Sequence, residues 1–395
     1  MKNALRLPLA GALAVTLVAT ACSSSGSKHA SSSTSTTGRT STTASTASNV
    51  YANAGKGALA ASVRDVPTRV YVPNSLSGTV SVIDPTTYKV IDTFATGDTP
   101  QHVVPSWDLK TLWVNNNGER TKKGSLTPVD PVTGKPGTTS PVDDPYNMYF
   151  TPDGRFMIVV AEALQRLDFR DPHTLELKES VPVPCPGVNH IDWSPDERYF
   201  LATCEFGGAI VKVDTATHKV LGRLALATKD SMPQDVRLVP SGKFFYVADM
   251  MADGVHVIDG RTLTEIGFIP TGPGTHGIYP SRDGTRLYVT NRGTHTVAGA
   301  HRPRGSVSVI DPTAGAHGEV VGNWAIPFGG SPDMGNVSAD GKEFWVSGRY
   351  DSEVYVFDTV LGVLTHRIPV GNGPHGLTVW PQPGRYSLGH TGNMR

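Results

Sequence analysis

Cysteine is scarce in this chain: three in 395 residues, Cys22, Cys185 and Cys204. No Cys-x-x-Cys-His stretch is present to attach a haem covalently. An excess of either charge is missing too. With 35 basic and 35 acidic side chains the formal net charge is zero, so nothing electrostatic argues for a nucleic-acid partner. The apolar run Leu7 to Ala19 is too short to span a bilayer comfortably. Gly-x-Ser-x-Gly, P-loop, His-x-His and His-Glu-x-x-His motifs are all absent, so no catalytic constellation can be named. What the chain has in quantity is glycine (42) and proline (30), the composition of a protein with many turns.

One pattern recurs seven times. Its copies open at Pro100, Pro145, Val188, Pro233, Thr275, Pro332 and Pro374, at intervals of 45, 43, 45, 42, 57 and 42 residues. Each copy begins with an apolar strand and a turn such as Pro152-Asp-Gly154 or Ala339-Asp-Gly341. A second strand rich in Tyr, Val and Phe follows, as in Phe156 to Val160 or Leu287 to Val289. A third ends in Asp, as in Val80 to Asp84 and Val307 to Asp311, and a fourth resembles Val90 to Phe94. β-Branched runs bounded by Gly, Pro and Asp are strand signals. A fixed period of this size with four strands per unit predicts a propeller. The fold class is therefore all-β, a seven-bladed β-propeller over residues 65–395. The chain begins with a second strand (Arg69 to Val72) and finishes with a first strand (Gly376 to Val379), so the C-terminal strand is expected to complete the first blade and remove the open edge.

Tyr71-Val-Pro-Asn74, Tyr288-Val-Thr-Asn291 and the Val-Ser-Val-Ile-Asp runs resemble the YVTN repeat of seven-bladed propellers, over about residues 65 to 380. The copies at 145–185 and 187–230 depart from the signature, with Val160-Ala-Glu162 and Ala202-Thr-Cys-Glu205. The resemblance implies an exported or surface propeller. It does not imply one activity, since related propellers bind partners, carry haem or hold copper.

In a blade, the end of strand two lies beside the start of strand one, and both face the mouth of the central channel. The columns at that height contain His102, His190, His276 and His375, with Asp235 and Asp333. The ends of strand two add Glu162, Glu205, Asp249, Arg292 and Arg349. Four of thirteen histidines in two adjacent columns mark this face as the candidate site. Three readings stand. The residues line a water-filled channel; they hold a small ligand, with the arginines as anion forks; or they bind a transition metal. For a metal, His276 and His375 with Asp333 or a residue of the tail form the expected set, because a seven-bladed channel is too wide for all four histidines to reach one ion. The insertion 292–305, with His295 and His301, is expected to hang over the mouth. Residues 116–142 are expected to replace part of a blade edge by loop. The tail from Gly384 is expected to cap the ring and bring His390 and Met394 to the histidines, or else to fray.

Residues 1–21 have the layout of a signal peptide: Lys2 and Arg6, the apolar run, then Ala19-Thr-Ala-Cys22. The last four resemble a bacterial lipobox, which implies a lipid on Cys22. They also suit an ordinary secretory cleavage, and either reading exports the protein. Residues 23–49 hold 18 Ser or Thr in 27 positions, and the stretch 22–64 is expected to be a disordered tether. In an exported protein Cys185 and Cys204, which the repeat places close together, are expected to form a disulfide; a soft metal-ligand pair beside His190 and Glu205 is the alternative. The leading expectation is a monomeric, membrane-tethered extracytoplasmic propeller that recognises a protein, glycan or small molecule at the channel mouth, with no certain cofactor. The alternative is a metal-dependent oxidoreductase built on the histidines.

Overall fold

The computed structural model describes residues 49–395. Cys22 and the expected signal peptide lie outside these residues. Seven antiparallel sheets follow one another along the chain. Blade 2 is Pro100–Pro105, Leu112–Asn116, Lys123–Val129 and Ser140–Asp143. The stretch 116–142, expected to replace part of its edge by loop, contains its third strand and most of its fourth, with loops at 117–122 and 130–139 between them. Blades 3 to 7 open with Pro145–Phe150, Val188–Trp193, Pro233–Leu238, Thr275–Pro280 and Pro332–Val337. Blade 1 is closed as expected: Thr378–Trp380 supplies its inner strand, pairing Arg69 with Trp380 and Tyr71 with Thr378.

Side-chain chemistry sets the turns. The Asp ending each third strand folds back on the chain, so that Asp84 Oδ1 accepts from the Thr86 amide at 2.8 Å and Asp358 Oδ1 from the Val360 amide at 2.8 Å. This Asx geometry stands in for a backbone turn bond. At the turns from strand one to strand two, Ser194, Ser281 and Ser338 donate to Asp196, Asp283 and Asp340 at 2.6–2.7 Å.

The apolar core lies between neighbouring blades. Tyr149, Val160, Phe169, Trp193, Phe200 and Leu388 pack between blades 3 and 4. Each such side chain contributes about 1.5–3 kcal/mol on burial. Cys185 and Cys204 lie in this layer and form a disulfide, with Cα atoms 5.2 Å apart.

Two segments close the end of the channel opposite the mouth, where the strand-one to strand-two turns lie. Residues 49–64 are not a free tether: Tyr51, Ala54 and Val63 are buried, and the Tyr51 hydroxyl donates to the Leu238 carbonyl at 2.7 Å. The boundary expected at residue 65 therefore moves to at least residue 49, because these apolar side chains find a floor to cover. The tail enters from the same end. Tyr386 stacks on Trp107, Ser387–Gly389 pairs with blade 3 at Tyr149, and Arg395 binds Asp192 at 3.0 Å. The tail caps the ring from this end and rises inside the channel to a tight turn at Gly389-His390, which brings His390 to the histidines. Met394 reaches the apolar layer around Tyr51 and Trp380 instead of the histidines.

Candidate metal centre in the channel

Five histidines meet inside the channel, all buried: His102, His190, His276, His375 and, from the tail, His390. Their rings run in sequence across it. His276 and His375 are 6.2 Å apart, His375 and His102 4.7 Å, His102 and His190 5.6 Å, and His190 and His390 4.3 Å, between ring centres. Backbone geometry makes the room. Gly376, one residue after His375, lies where a Cβ would come 2.1 Å from the His102 ring, so no larger residue fits there without displacing it. The inner strands of blades 1 and 2 bond directly at this height, Val103 N to Gly376 O at 2.9 Å.

The ligand set expected from the sequence is brought together, and a second group of histidines stands beside it. His276, Asp333 and His375 each offer one donor atom within 4.8 Å of the others, and so do His102, His190 and His390. Donors on one tetrahedral ion of this kind sit about 3.4 Å apart, so shifts of about an ångström would close either set.

In the first set two buried acceptors meet, which either a cation or a proton between them satisfies; burial raises the pKa of Asp333. His375 Nδ1 lies 3.1 Å from the Gln101 carbonyl, which can only accept, so Nδ1 carries the proton. In neutral His375 the Nε2 is then a bare lone pair, 3.4 Å from Asp333 Oδ2, which has no hydrogen-bond partner. Two acceptors face each other in a buried site. Asp333 Oδ1 is already engaged by Arg292 through Nε and Nη2, both at 2.7 Å. His276 Nδ1 lies 3.1 Å from the same oxygen but off the hydrogen-bonding line. Burial, with Arg292 and other positive groups nearby, holds His276 and His375 well below the ordinary histidine pKa, and burial drives His102 down to about 3. The imidazoles are neutral at pH 7, as metal ligation requires.

The other predicted residues divide. Asp235 belongs to the channel: its Oδ1 is unpartnered and 3.8 Å from His390 Nε2, while Oδ2 accepts the Ile278 amide at 2.9 Å. Burial raises its pKa to about 6. Glu162 and Glu205 sit together nearer the mouth, where burial and, for Glu162, the neighbouring Glu205 carboxylate raise their pKa values. Glu205 also accepts from Asn189 at 2.8 Å. Arg349 stays at the rim on Ser75 at 3.0 Å. Asp249 does not join the group. Its Oδ1 accepts the amides of Met232, Met251 and Ala252, and its Oδ2 faces His256 of its own blade at 3.2 Å. The insertion is tied down at the rim, His295 to Asp253 at 2.6 Å and His301 near Asp351 at 3.6 Å, so neither histidine reaches the channel. Cys185 and Cys204 are spent on their disulfide and offer no thiolate. Sequence reasoning missed Asn147, whose amide touches both His190 and His390 at 3.0 and 3.3 Å. It stands in the same repeat column as His102 and His190, which was the available signal.

Solved structures of other propellers resemble this one. A functionally unknown protein from Desulfotomaculum acetoxidans DSM 771 aligns over 79% of this chain and 98% of its own, at 14% identity and TM-score 0.63. The periplasmic gluconolactonase of Pseudomonas aeruginosa aligns over 78% and 98%, at 19% identity and TM-score 0.62. Hydrazine synthase of Kuenenia stuttgartiensis aligns over 69% and 87%, at 21% identity and TM-score 0.56. Identities this low carry the fold and no activity. No curated protein sequence matches the chain. A family model does, across residues 44–383, and the chain belongs to the YNCE-like β-propellers.

Proposed function

We propose that this protein is an exported, lipid-tethered propeller that binds a transition-metal ion in its channel through His276, His375 and Asp333. The observation that carries this reading is the bare His375 Nε2 facing the unpartnered Asp333 Oδ2 at 3.4 Å. A cation between two buried acceptors removes their repulsion and fills both. Two neutral imidazoles and a carboxylate suit zinc, copper or iron. The Gln101 carbonyl and Arg292 act as the outer shell that orients ring and carboxylate. Metal analysis by mass spectrometry of protein purified without an affinity tag tests this. Stoichiometric metal in the wild type, lost in His375→Gln, supports it; metal-free protein that also fails to take up zinc or copper overturns it. Anchoring rests on the Ala19-Thr-Ala-Cys22 box. Cys22→Ala should release the protein from membranes, and an unlipidated wild type found only in solution would refute the anchor.

A second reading is recognition of a protein partner at the mouth, favoured by Leu76, Phe206 and Phe328, which stand exposed in loops on that face. A photo-crosslinking residue at position 328 tests it. One defined cross-linked partner is expected, and none would count against it.

A further inference from the structure

We propose that His102, His190 and His390 form a second transition-metal site, so that metal fastens the C-terminal segment inside the channel. This site does not depend on the ion proposed at His276, Asp333 and His375. It rests on a different set of side chains, and one of its three ligands is brought from outside the blades.

The three imidazoles are fully buried and each offers a nitrogen within 4.8 Å of the other two. The tautomer of His102 is fixed. Its Nδ1 lies 2.9 Å from the Tyr146 carbonyl and must donate, leaving Nε2 bare and without any partner. His190 Nε2 also has no partner. The Nδ1 atoms of His190 and His390 share one neighbour, the Asn147 amide, at 3.0 and 3.3 Å. Which end of an amide is oxygen follows from the hydrogen bonds it serves. Asn147 Oδ1 accepts the Met148 amide at 2.8 Å, so its Nδ2 faces the rings, and both Nδ1 atoms accept from it while the neutral rings carry their protons on Nε2. Metal binding at His190 Nε2 moves that ring's proton to Nδ1, where the Tyr149 hydroxyl at 3.1 Å accepts it. The cation thus meets one bare lone pair, His102 Nε2, and takes the place of the protons on His190 Nε2, which has no partner, and on His390 Nε2, which faces the Thr391 hydroxyl at 3.3 Å. Asp235 Oδ1, buried and unpartnered, stands 3.8 Å from His390 Nε2 as a fourth donor. Three imidazoles and a carboxylate select zinc, copper, cobalt or nickel over calcium or magnesium.

The tail is shaped to deliver its ligand. His390 has φ of 41°, in the left-handed region that residues with a side chain seldom occupy. Gly389 presses so close to blade 3 that a Cβ would come 2.4 Å from the Met148 carbonyl. A histidine held in an unfavourable backbone conformation at the tip of a channel plug is the kind of outlier that points to a site. The two metal groups are neighbours, since the His102 ring lies between those of His190 and His375, edge-on to the first and tilted to the second.

The experiment uses the full untagged chain. The protein is stripped with chelator, loaded with cobalt(II) or zinc(II), desalted and analysed for metal per chain. Hydrogen exchange of residues 386–394 is followed in the stripped and loaded forms. The wild type should hold two ions, and His390→Gln and His190→Gln one each. Exchange in the tail should slow at least about tenfold on loading in the wild type and not in His390→Gln. His190→Gln lies on a blade and answers the question even if the tail variant fails to fold. One ion in the wild type that survives in His390→Gln and His190→Gln overturns this site and leaves the His276 site standing. One ion lost in His390→Gln but kept in His276→Gln supports this site and overturns the other. One ion lost in every variant means a single shared centre and overturns the second site. No uptake by the wild type overturns both.

Discussion

Arg395 should be among the most sensitive positions in the protein, although it lies outside every blade. Its guanidinium donates to Asp192 Oδ1 at 3.0 Å, rests 4.7 Å over the Tyr51 ring and bonds Asn393 at 2.8 Å. The pair is buried, with the arginine side chain 10% exposed and the aspartate at 0%. Arg395→Met keeps most of the apolar stem and removes the charge, stranding a carboxylate in the channel floor. Removing one partner of a buried pair destabilises by about 3–5 kcal/mol. Asp192 keeps bonds from the Trp193 and Leu238 amides at 2.8 and 2.7 Å, which argues for the lower end, about 3 kcal/mol. For a domain of this size that is a fall in Tm of about 4 °C. Urea denaturation of the two single variants and the double variant at pH 7 gives the coupling. Asp192→Asn in the Arg395→Met background should recover about half of the loss, because the stranded charge is gone. A loss under about 0.5 kcal/mol in Arg395→Met would refute the tail as a packed plug.

The remaining predictions concern the blades. Peptide mapping under non-reducing conditions should join Cys185 to Cys204, and Cys185→Ser/Cys204→Ser should lose about 3 kcal/mol; two freely alkylated thiols in the native protein would rule the bridge out. His256 is buried between Asp249 at 3.2 Å and Glu265 at 2.8 Å. Burial opposes its charge, but bonds to both carboxylates outweigh this and raise its pKa, while the same contact, with backbone amides, lowers that of Asp249 against burial. The histidine's contribution is full below about pH 6.5 and fades as pH rises through its raised pKa. The aspartate's is full above about pH 3.8 and fades as pH falls through its lowered pKa. The stability gap between wild type and His256→Gln should therefore be widest between about pH 4 and 6.5 and narrow above it, and a pH-independent gap would contradict the pairing.

The repeat made the blades legible because each blade must solve the same local problem. An apolar strand, an Asp-Gly turn and a terminal Asp leave much the same trace each time, so six of the seven opening residues begin inner strands and the seventh, Pro374, stands just ahead of Thr378–Trp380. The same register placed His102, His190, His276, His375 and Asp333 at one height, and they do meet. What the sequence hid lies outside the period. Tyr51, Met394 and Arg395 belong to segments with no repeat partner, whose positions depend on the channel they fill. Asp249 misled for a related reason. Its column is right, but His256, on the adjacent strand opposite Val247, competes for its carboxylate. Residue type in a column fixes where a backbone stands and leaves open which neighbour wins the side chain.

A cation between His375 and Asp333 is what makes this channel a metal site. Crystals of the untagged protein, loaded with zinc and measured on both sides of the zinc edge, answer this directly. We predict an anomalous peak about 2.0–2.2 Å from His375 Nε2 and from an oxygen of Asp333, with His276 as a further ligand. The contradictory result is no peak there, with His375 Nε2 and Asp333 Oδ2 drawn to about 2.7 Å by a shared proton.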